Sequence, residues 1–303
     1  MVTVVCLSPS LDETLILPSL AVGGTNRVRE RRVCAGGKGV NVALMLAKTG
    51  EAVRLAVFRH EQGAGLLFDA LSAARVACIP VNVPGTLRTN IKLFDASSDT
   101  VTEINASAAP VPDEAAQRME DAIAAACRDS RWLVLTGSLP KGYPADAYAR
   151  IIRRVRKEAP RCRIALDAEG DALRLGVAEK PDMIKPNRRE FDMLAGRALA
   201  SEDEIVAAAR GLVRDGVRAV IVSMDVDGSL LVTADHVLRA GAIPVPVVTT
   251  VGAGDALLSG YIRASERGEA EALAYGVAAA AARVAGRDGE ADAYLPQVSV
   301  ELC

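Results

Sequence analysis

The stretch of this 303-residue chain best suited to chemistry is Val251-Gly252-Ala253-Gly254-Asp255-Ala256, a run of small residues that ends in one carboxylate. A helical pattern, Ala256-Leu257-Leu258-Ser259-Gly260-Tyr261, follows it. The N–H groups of Gly252, Ala253 and Gly254 therefore stand at a helix start, where unpaired donors and the helix dipole favour an anion. Asp255 sits where that anion would sit. A carboxylate there repels a phosphate, but it suits a base that takes the proton of a hydroxyl attacking phosphorus. An ordinary helix with an Asp in its first turn has the same letters, so a second segment has to decide.

That segment is Cys34-Ala35-Gly36-Gly37-Lys38-Gly39-Val40-Asn41-Val42-Ala43, which runs into the apolar pattern Val42, Leu44, Met45, Leu46. It is not a Walker A loop, because the first glycine is missing and no Ser or Thr follows Lys38. The glycines also lack the dinucleotide-binding spacing. Bare backbone at Gly36 and Gly37 lets a ligand approach closely. Lys38 and Asn41 share one side of a first helical turn. A cation and an amide beside bare backbone suit a phosphorylated, hydroxyl-rich ligand.

The elements that must hold these segments follow from periodicity. Val2–Leu7, Val53–Val57, Val76–Val81, Trp132–Leu135, Arg163–Leu166, Met183–Lys185 and Ala219–Ser223 read as buried strands. Helical patterns lie between them near 38–49, 63–74, 113–128, 145–158, 188–195 and 202–214. This alternation predicts an α/β fold, a mostly parallel sheet with helices on both faces. Two segments, about 14–33 and 87–104, alternate polar and apolar residues without helices and predict a small antiparallel β lid. A single domain spanning 1–303 accommodates all of this. Asp12, the Gly137-Ser138-Leu139-Pro140 loop and Lys185-Pro186-Asn187 then follow strand ends, where open α/β sheets bind ligands.

Composition narrows the classes. With 36 basic and 38 acidic residues the net charge is −2, so no bulk attraction to nucleic acid is expected. The cluster Arg150, Arg153, Arg154, Arg156 and Lys157 reads as a solvated helix face without interleaved aromatics. The six cysteines have no CxxC spacing and read as reduced thiols of a cytoplasmic protein. The first apolar run is broken by Asp12 and Glu13 and reads as a strand rather than a signal peptide. No stretch reaches membrane-spanning length, and the run Ala272–Ala285 reads as a packed helix.

Together the two Gly-rich segments resemble the N-terminal Gly-Gly and C-terminal Gly-Ala-Gly-Asp motifs of the ribokinase-like sugar kinases. Further segments are similar to the 1-phosphofructokinase and tagatose-6-phosphate kinase branch, in that family's order and over nearly the whole chain. They are Pro9-Ser10-Leu11-Asp12, Arg88 with Asn90 and Lys92, Thr136-Gly137-Ser138-Leu139-Pro140-Lys141-Gly142, and Ile184-Lys185-Pro186-Asn187 with Glu190. The resemblance implies ATP-dependent phosphorylation of a ketohexose phosphate with Mg²⁺. Fructose 1-phosphate is the first choice of substrate, tagatose 6-phosphate the second and fructose 6-phosphate the third. It also implies a homodimer joined through the lid.

Site roles are carried over position by position. Asp12, Gly37, Lys38, Asn41 and Asn90 should hold the sugar, with Arg88, Lys141 and Ser138 on its phosphate. Lys185, Asn187, Ser223, Asp225, Gly228, Gly252 and Gly254 should face the nucleotide. Asn187 and Glu190 would hold Mg²⁺ through water, although the same pair also reads as a helix capping box. Gly252, Ala253 and Gly254 form the anion hole and Asp255 is the base. The chain departs from the family pattern at Ser8, at Leu87, and at Arg59-His60, which replaces Gly-Gly in a loop expected to border the sugar. It departs again at Asp225, which replaces a glycine beside the nucleotide. The last two motivate a reading of another class, a non-catalytic sugar-phosphate sensor. Retention of Asp255 argues against it.

Overall fold

Five consecutive apolar or β-branched residues, Val2–Cys6, form β1, and all are buried. Val2, Val4 and Cys6 enter one hydrophobic layer, while Val5 and Leu7 enter the other. A strand with no polar face must lie inside a sheet covered on both sides. The computed structural model, which describes all 303 residues, places it there.

In chain order β1 is followed by β2 (Ser10–Leu17), β3 (Glu30–Gly36), α1 (Lys38–Lys48), β4 (Val53–Gln62), α2 (Gly65–Ala73), β5 (Ala77–Thr86), β6 (Thr89–Asp95), β7 (Thr100–Ile104) and α3 (Asp113–Cys127). Next come β8 (Trp132–Thr136), α4 (Ala147–Glu158), β9 (Arg163–Asp167), α5 (Gly170–Ala178), β10 (Met183–Ile184), α6 (Arg188–Ala195), α7 (Glu202–Arg214) and β11 (Ala219–Ser223). The chain ends with β12 (Ser229–Val232), β13 (Val237–Ala240), α8 (Ala253–Ala264), α9 (Glu269–Val284), α10 (Ala291–Tyr294) and β14 (Val300–Leu302). The ten-stranded sheet has the order β14-β13-β12-β11-β10-β9-β8-β1-β4-β5. Strands β11 through β5 are parallel, as expected, and β12, β13 and β14 add an antiparallel edge. Buried side chains of α1, α8 and α9 pack on one face and those of α3, α4 and α7 on the other.

A second sheet, in the order β3-β2-β6-β7, is the lid. Its outer pairs are antiparallel, and its central pair, β2 with β6, is parallel. The lid strands begin earlier than the alternation suggested: β2 starts at Ser10, so Asp12 is a strand residue rather than a turn residue.

The expected loop at Arg59-His60 is corrected. β4 continues to Gln62 because β5 runs alongside it, pairing Arg59 with Asn82 and His60 with Val83. His60 is 5 % exposed, and burial lowers its pKa. Arg59 stacks over Phe68, 5.0 Å from the ring centre. Neither side chain lines the cleft described next.

Candidate active site

At the C-terminal ends of the parallel strands lies a polar cleft of about 580 Å³. Its floor is the start of α8. Gly252 caps that helix with φ of 83°, a left-handed conformation that a side chain would strain. The N–H groups of Gly252, Gly254 and Asp255 have no protein acceptor, whereas Ala253 N–H donates to Thr250 O at 3.3 Å. Unpaired donors at this helix start are therefore those of residues 252, 254 and 255, while Ala253 is engaged elsewhere. Asp255 is 5 % exposed. Its carboxyl is raised to about 6, by burial first and then by Asp167; the Asn41 hydrogen bond and Lys185 and Lys38 oppose the rise. A helix dipole alone would lower it, so burial wins.

Asp167, at the end of β9, is a cleft residue that the sequence reading missed. A single acid after a strand carries no spacing signal. It is 1 % exposed, and its Oδ1 lies 3.3 Å from Lys185 Nζ and 3.8 Å from Lys38 Nζ. The Lys38 Nζ is also 3.8 Å from Glu190, and Asp167 leads the charges that raise the Lys38 pKa. A Cβ on Gly254 would stand 3.3 Å from Lys185 Nζ, so a buried cation borders the unpaired amides. Burial of a lysine and an aspartate at this depth is tolerable only as a pair.

The lid supplies the opposite wall. Asp12 Oδ1 accepts from Ser10 Oγ and Asn90 Nδ2, both at 3.0 Å, and Lys92 Nζ lies 3.4 Å from Oδ2. A Cβ on Gly36 would collide with the Asp12 carboxylate, so the glycine is needed for this approach. Gly37, Lys38 and Asn41 line the cleft, and Asn41 Nδ2 donates to Asp255 Oδ2 at 2.9 Å. Arg88 lines it too, but three of its N–H groups hold the carbonyls of Ser8, Pro9 and Ala106. Two donors of its five remain for a ligand. Lys92, Glu103 and Asn105, which received no role from the sequence, also line the cleft. Ser138 reaches it; Lys141 is exposed on the following turn and is not brought to it.

A second cavity, about 470 Å³ and mostly apolar, adjoins the first and shares Ser223, Asp225, Thr250, Ala253 and Gly254 with it. Gly228, Ile243, Val245, Leu257, Val277 and Ala281 are among its walls. An apolar slot opening into a polar, amide-rich cleft fits a nucleobase joined to phosphates. Asp225 is exposed at the junction with φ of 49°. Asn187 and Glu190 form a complete capping box at the start of α6, both bonds being 2.9 Å, and both also face the cleft.

This fold and site define a sugar-kinase architecture: a parallel α/β sheet under a small second sheet, with a buried carboxylate and unpaired amides at one helix start. Residues 7–293 match the pfkB family carbohydrate kinase model, and the chain belongs to that family. It is a phosphotransferase by that membership. The 1-phosphofructokinase of Rhodobacter capsulatus is 37 % identical over 273 residues, covering 88 % of this chain and 84 % of the relative. That of Escherichia coli K12 is 32 % identical, covering 86 % and 83 %. Among solved structures, phosphofructokinase-2 from Escherichia coli in complex with substrates and products superimposes with a TM-score of 0.89 at 26 % identity, over 98 % of this chain and 99 % of that one.

Proposed function

We propose that this kinase transfers the γ-phosphoryl group of ATP to a ketohexose phosphate, with fructose 1-phosphate as acceptor and fructose 1,6-bisphosphate as product. The observation that carries the reading is Asp255, a buried carboxylate raised to about 6 among three amides without acceptors. Relatives named 1-phosphofructokinase at 30 to 37 % identity support the choice of acceptor.

Asp12, Asn90 and Lys38 orient the sugar hydroxyls, while Arg88 and Ser138 receive its phosphate. Asp255 takes the acceptor hydroxyl proton as that oxygen bonds to phosphorus and the bond to the ADP oxygen breaks. Gly252, Gly254 and Asp255 N–H groups receive the charge on the moving group, and Lys185 adds a fixed cation. Seven acidic and four basic side chains line the cleft, an excess that disfavours a polyphosphate unless a divalent cation accompanies it. No group of three metal-ligating side chains exists here. Mg²⁺ would enter as the nucleotide's own counter-ion, and Asn187 and Glu190 are the residues that would hold it through water. It would neutralise phosphate charge.

We also place the protein in the cytoplasm, since all six cysteines are free thiols. No helix is long and apolar enough to cross a membrane. Leu15, Val33, Ile91, Leu93 and Ile104 share the lid face opposite Asp12, and Ile104 is 53 % exposed. A second copy covering this face gives a homodimer, testable by sedimentation of Leu93→Glu.

The test is an ADP-release assay with Mg-ATP, comparing fructose 1-phosphate, tagatose 6-phosphate and fructose 6-phosphate by kcat/KM. Preference for fructose 1-phosphate is expected. Tight sugar-phosphate binding without turnover on any of the three favours the sensor.

A further inference from the structure

The anion-hole turn is tethered to the end of α9. Residues 241–252, between β13 and α8, form no strand or helix. Val248 and Thr249 N–H groups donate to Val284 O at 2.8 and 3.2 Å, and Arg283 Nε donates to Val251 O at 2.9 Å. We propose that Arg283 is a positioning residue for phosphoryl transfer: it fixes the Val251–Gly252 peptide so that the Gly252 N–H faces the transferred group. The inference rests on the reading of residues 252–255 given above.

In a trans peptide the C=O and N–H point to opposite sides. A guanidinium held on Val251 O therefore turns the Gly252 N–H away from α9, and that N–H has no protein acceptor. The same bond polarises the peptide and strengthens the donor. A Cβ on Gly252 would lie 3.2 Å from Arg283 Nε, so glycine and arginine fit each other tightly. Arg283 is itself anchored: its NH1 bonds Asp288 Oδ2 at 2.9 Å, and Lys48 Nζ approaches the same oxygen at 3.2 Å. Lys48 ends α1, whose Asn41 holds Asp255 and whose Met45 Cε would lie 3.5 Å from a Gly252 Cβ. Positions 41, 45 and 48 make one helix face. α1 thus sets the base, and through Asp288 it also steadies the arginine that sets the donor. An arginine serving only the α9 dipole would need proximity to the helix end and no bond to the turn.

The experiment compares Arg283→Ala and Arg283→Lys with wild type in the ADP-release assay, with melting temperatures and added guanidinium. Arg283→Ala should lower kcat roughly 10- to 100-fold with little change in either KM. Millimolar guanidinium should restore part of that kcat without stimulating wild type, and the lysine variant should be intermediate. A kcat within about twofold of wild type, or a loss that guanidinium does not restore, overturns the proposal. Asp288→Asn, which loosens Arg283 without removing it, should also lower kcat, and the double variant should be no slower than Arg283→Ala. Additive losses overturn it. Wild type that turns over no ketohexose phosphate removes the functional reading instead. The variants are then read by affinity for ADP with aluminium fluoride: weaker binding with plain ADP unaffected keeps the inference, and equal affinity ends it.

Discussion

Asn41, in the first turn of α1, donates a 2.9 Å hydrogen bond to Asp255, in the first turn of α8, although 214 positions separate them in the chain. The bond favours the ionised carboxylate, against burial and the Asp167 charge, and the balance leaves Asp255 at about 6. A base must be unprotonated to act, so kcat/KM should rise with pH and reach half its plateau near pH 6. Asn41→Leu removes an interaction that lowers the pKa, and the acid limb should move to higher pH. A pH–rate profile checks this; an unmoved limb would show that the titration belongs to another group.

The same carboxylate costs stability. Its folded pKa, about 6, lies above the ordinary 3.8. The folded state thus binds the proton more tightly than the unfolded state, and this contribution is full below pH 4 and lost as pH rises through 6. At pH 7.5 Asp255→Asn should therefore stabilise the protein, by up to about 3 kcal/mol, while kcat falls roughly 10²- to 10⁴-fold. Urea unfolding at pH 7.5 and pH 5 measures the first claim, and the gain should shrink at the lower pH. A destabilised variant at pH 7.5 would mean that the charge is well accommodated.

The parallel strands were legible because apolar and β-branched residues dominate them and the motifs follow their ends, although β5, expected to be buried, is a largely exposed edge strand. β12, β13 and β14 were not, since four, four and three residues are too few for a period to show. β4 was read short because Arg59-His60-Glu61-Gln62 is polar by letter; only pairing with β5 reveals that His60 points inward. Asp167 is a lone acid at the end of its strand, and Arg283 looks like a basic residue ending an Ala-rich helix. Their roles come from what the fold brings near them. The capping box that the spacing of Asn187 and Glu190 allowed is present, and both residues also line the cleft.

Lys185 and Asp167, 4 % and 1 % exposed, form a pair at 3.3 Å. Replacing Lys185 leaves the buried Asp167 facing only the half-exposed Lys38 at 3.8 Å, so Lys185→Met should destabilise by about 3 kcal/mol. It should also raise the Asp255 pKa, because Lys185 is among the charges that lower it. In Lys185→Met/Asp167→Leu the stranded charge is gone and stability should largely return, while turnover should stay low for want of the cation beside Gly254. Thermal unfolding and kcat of the three proteins decide. Full activity in the double variant would remove Lys185 from phosphoryl transfer.

Asp225 sits exposed between the two cavities with φ of 49°, a conformation that glycine adopts without strain. Its carboxylate borders the space assigned to the nucleotide phosphates. Asp225→Gly should lower the KM for ATP several-fold, more at low ionic strength, where surface charge is least screened. Stability should change by less than about 1 kcal/mol, because relief of the left-handed backbone offsets the greater freedom of the unfolded glycine chain. Asp225→Asn separates charge from shape: if repulsion is the cause, it should reproduce most of the KM effect. A KM that rises in both variants would instead mean that the carboxylate accepts a hydrogen bond from the ribose, and its place in the site would be on the sugar side of the nucleotide.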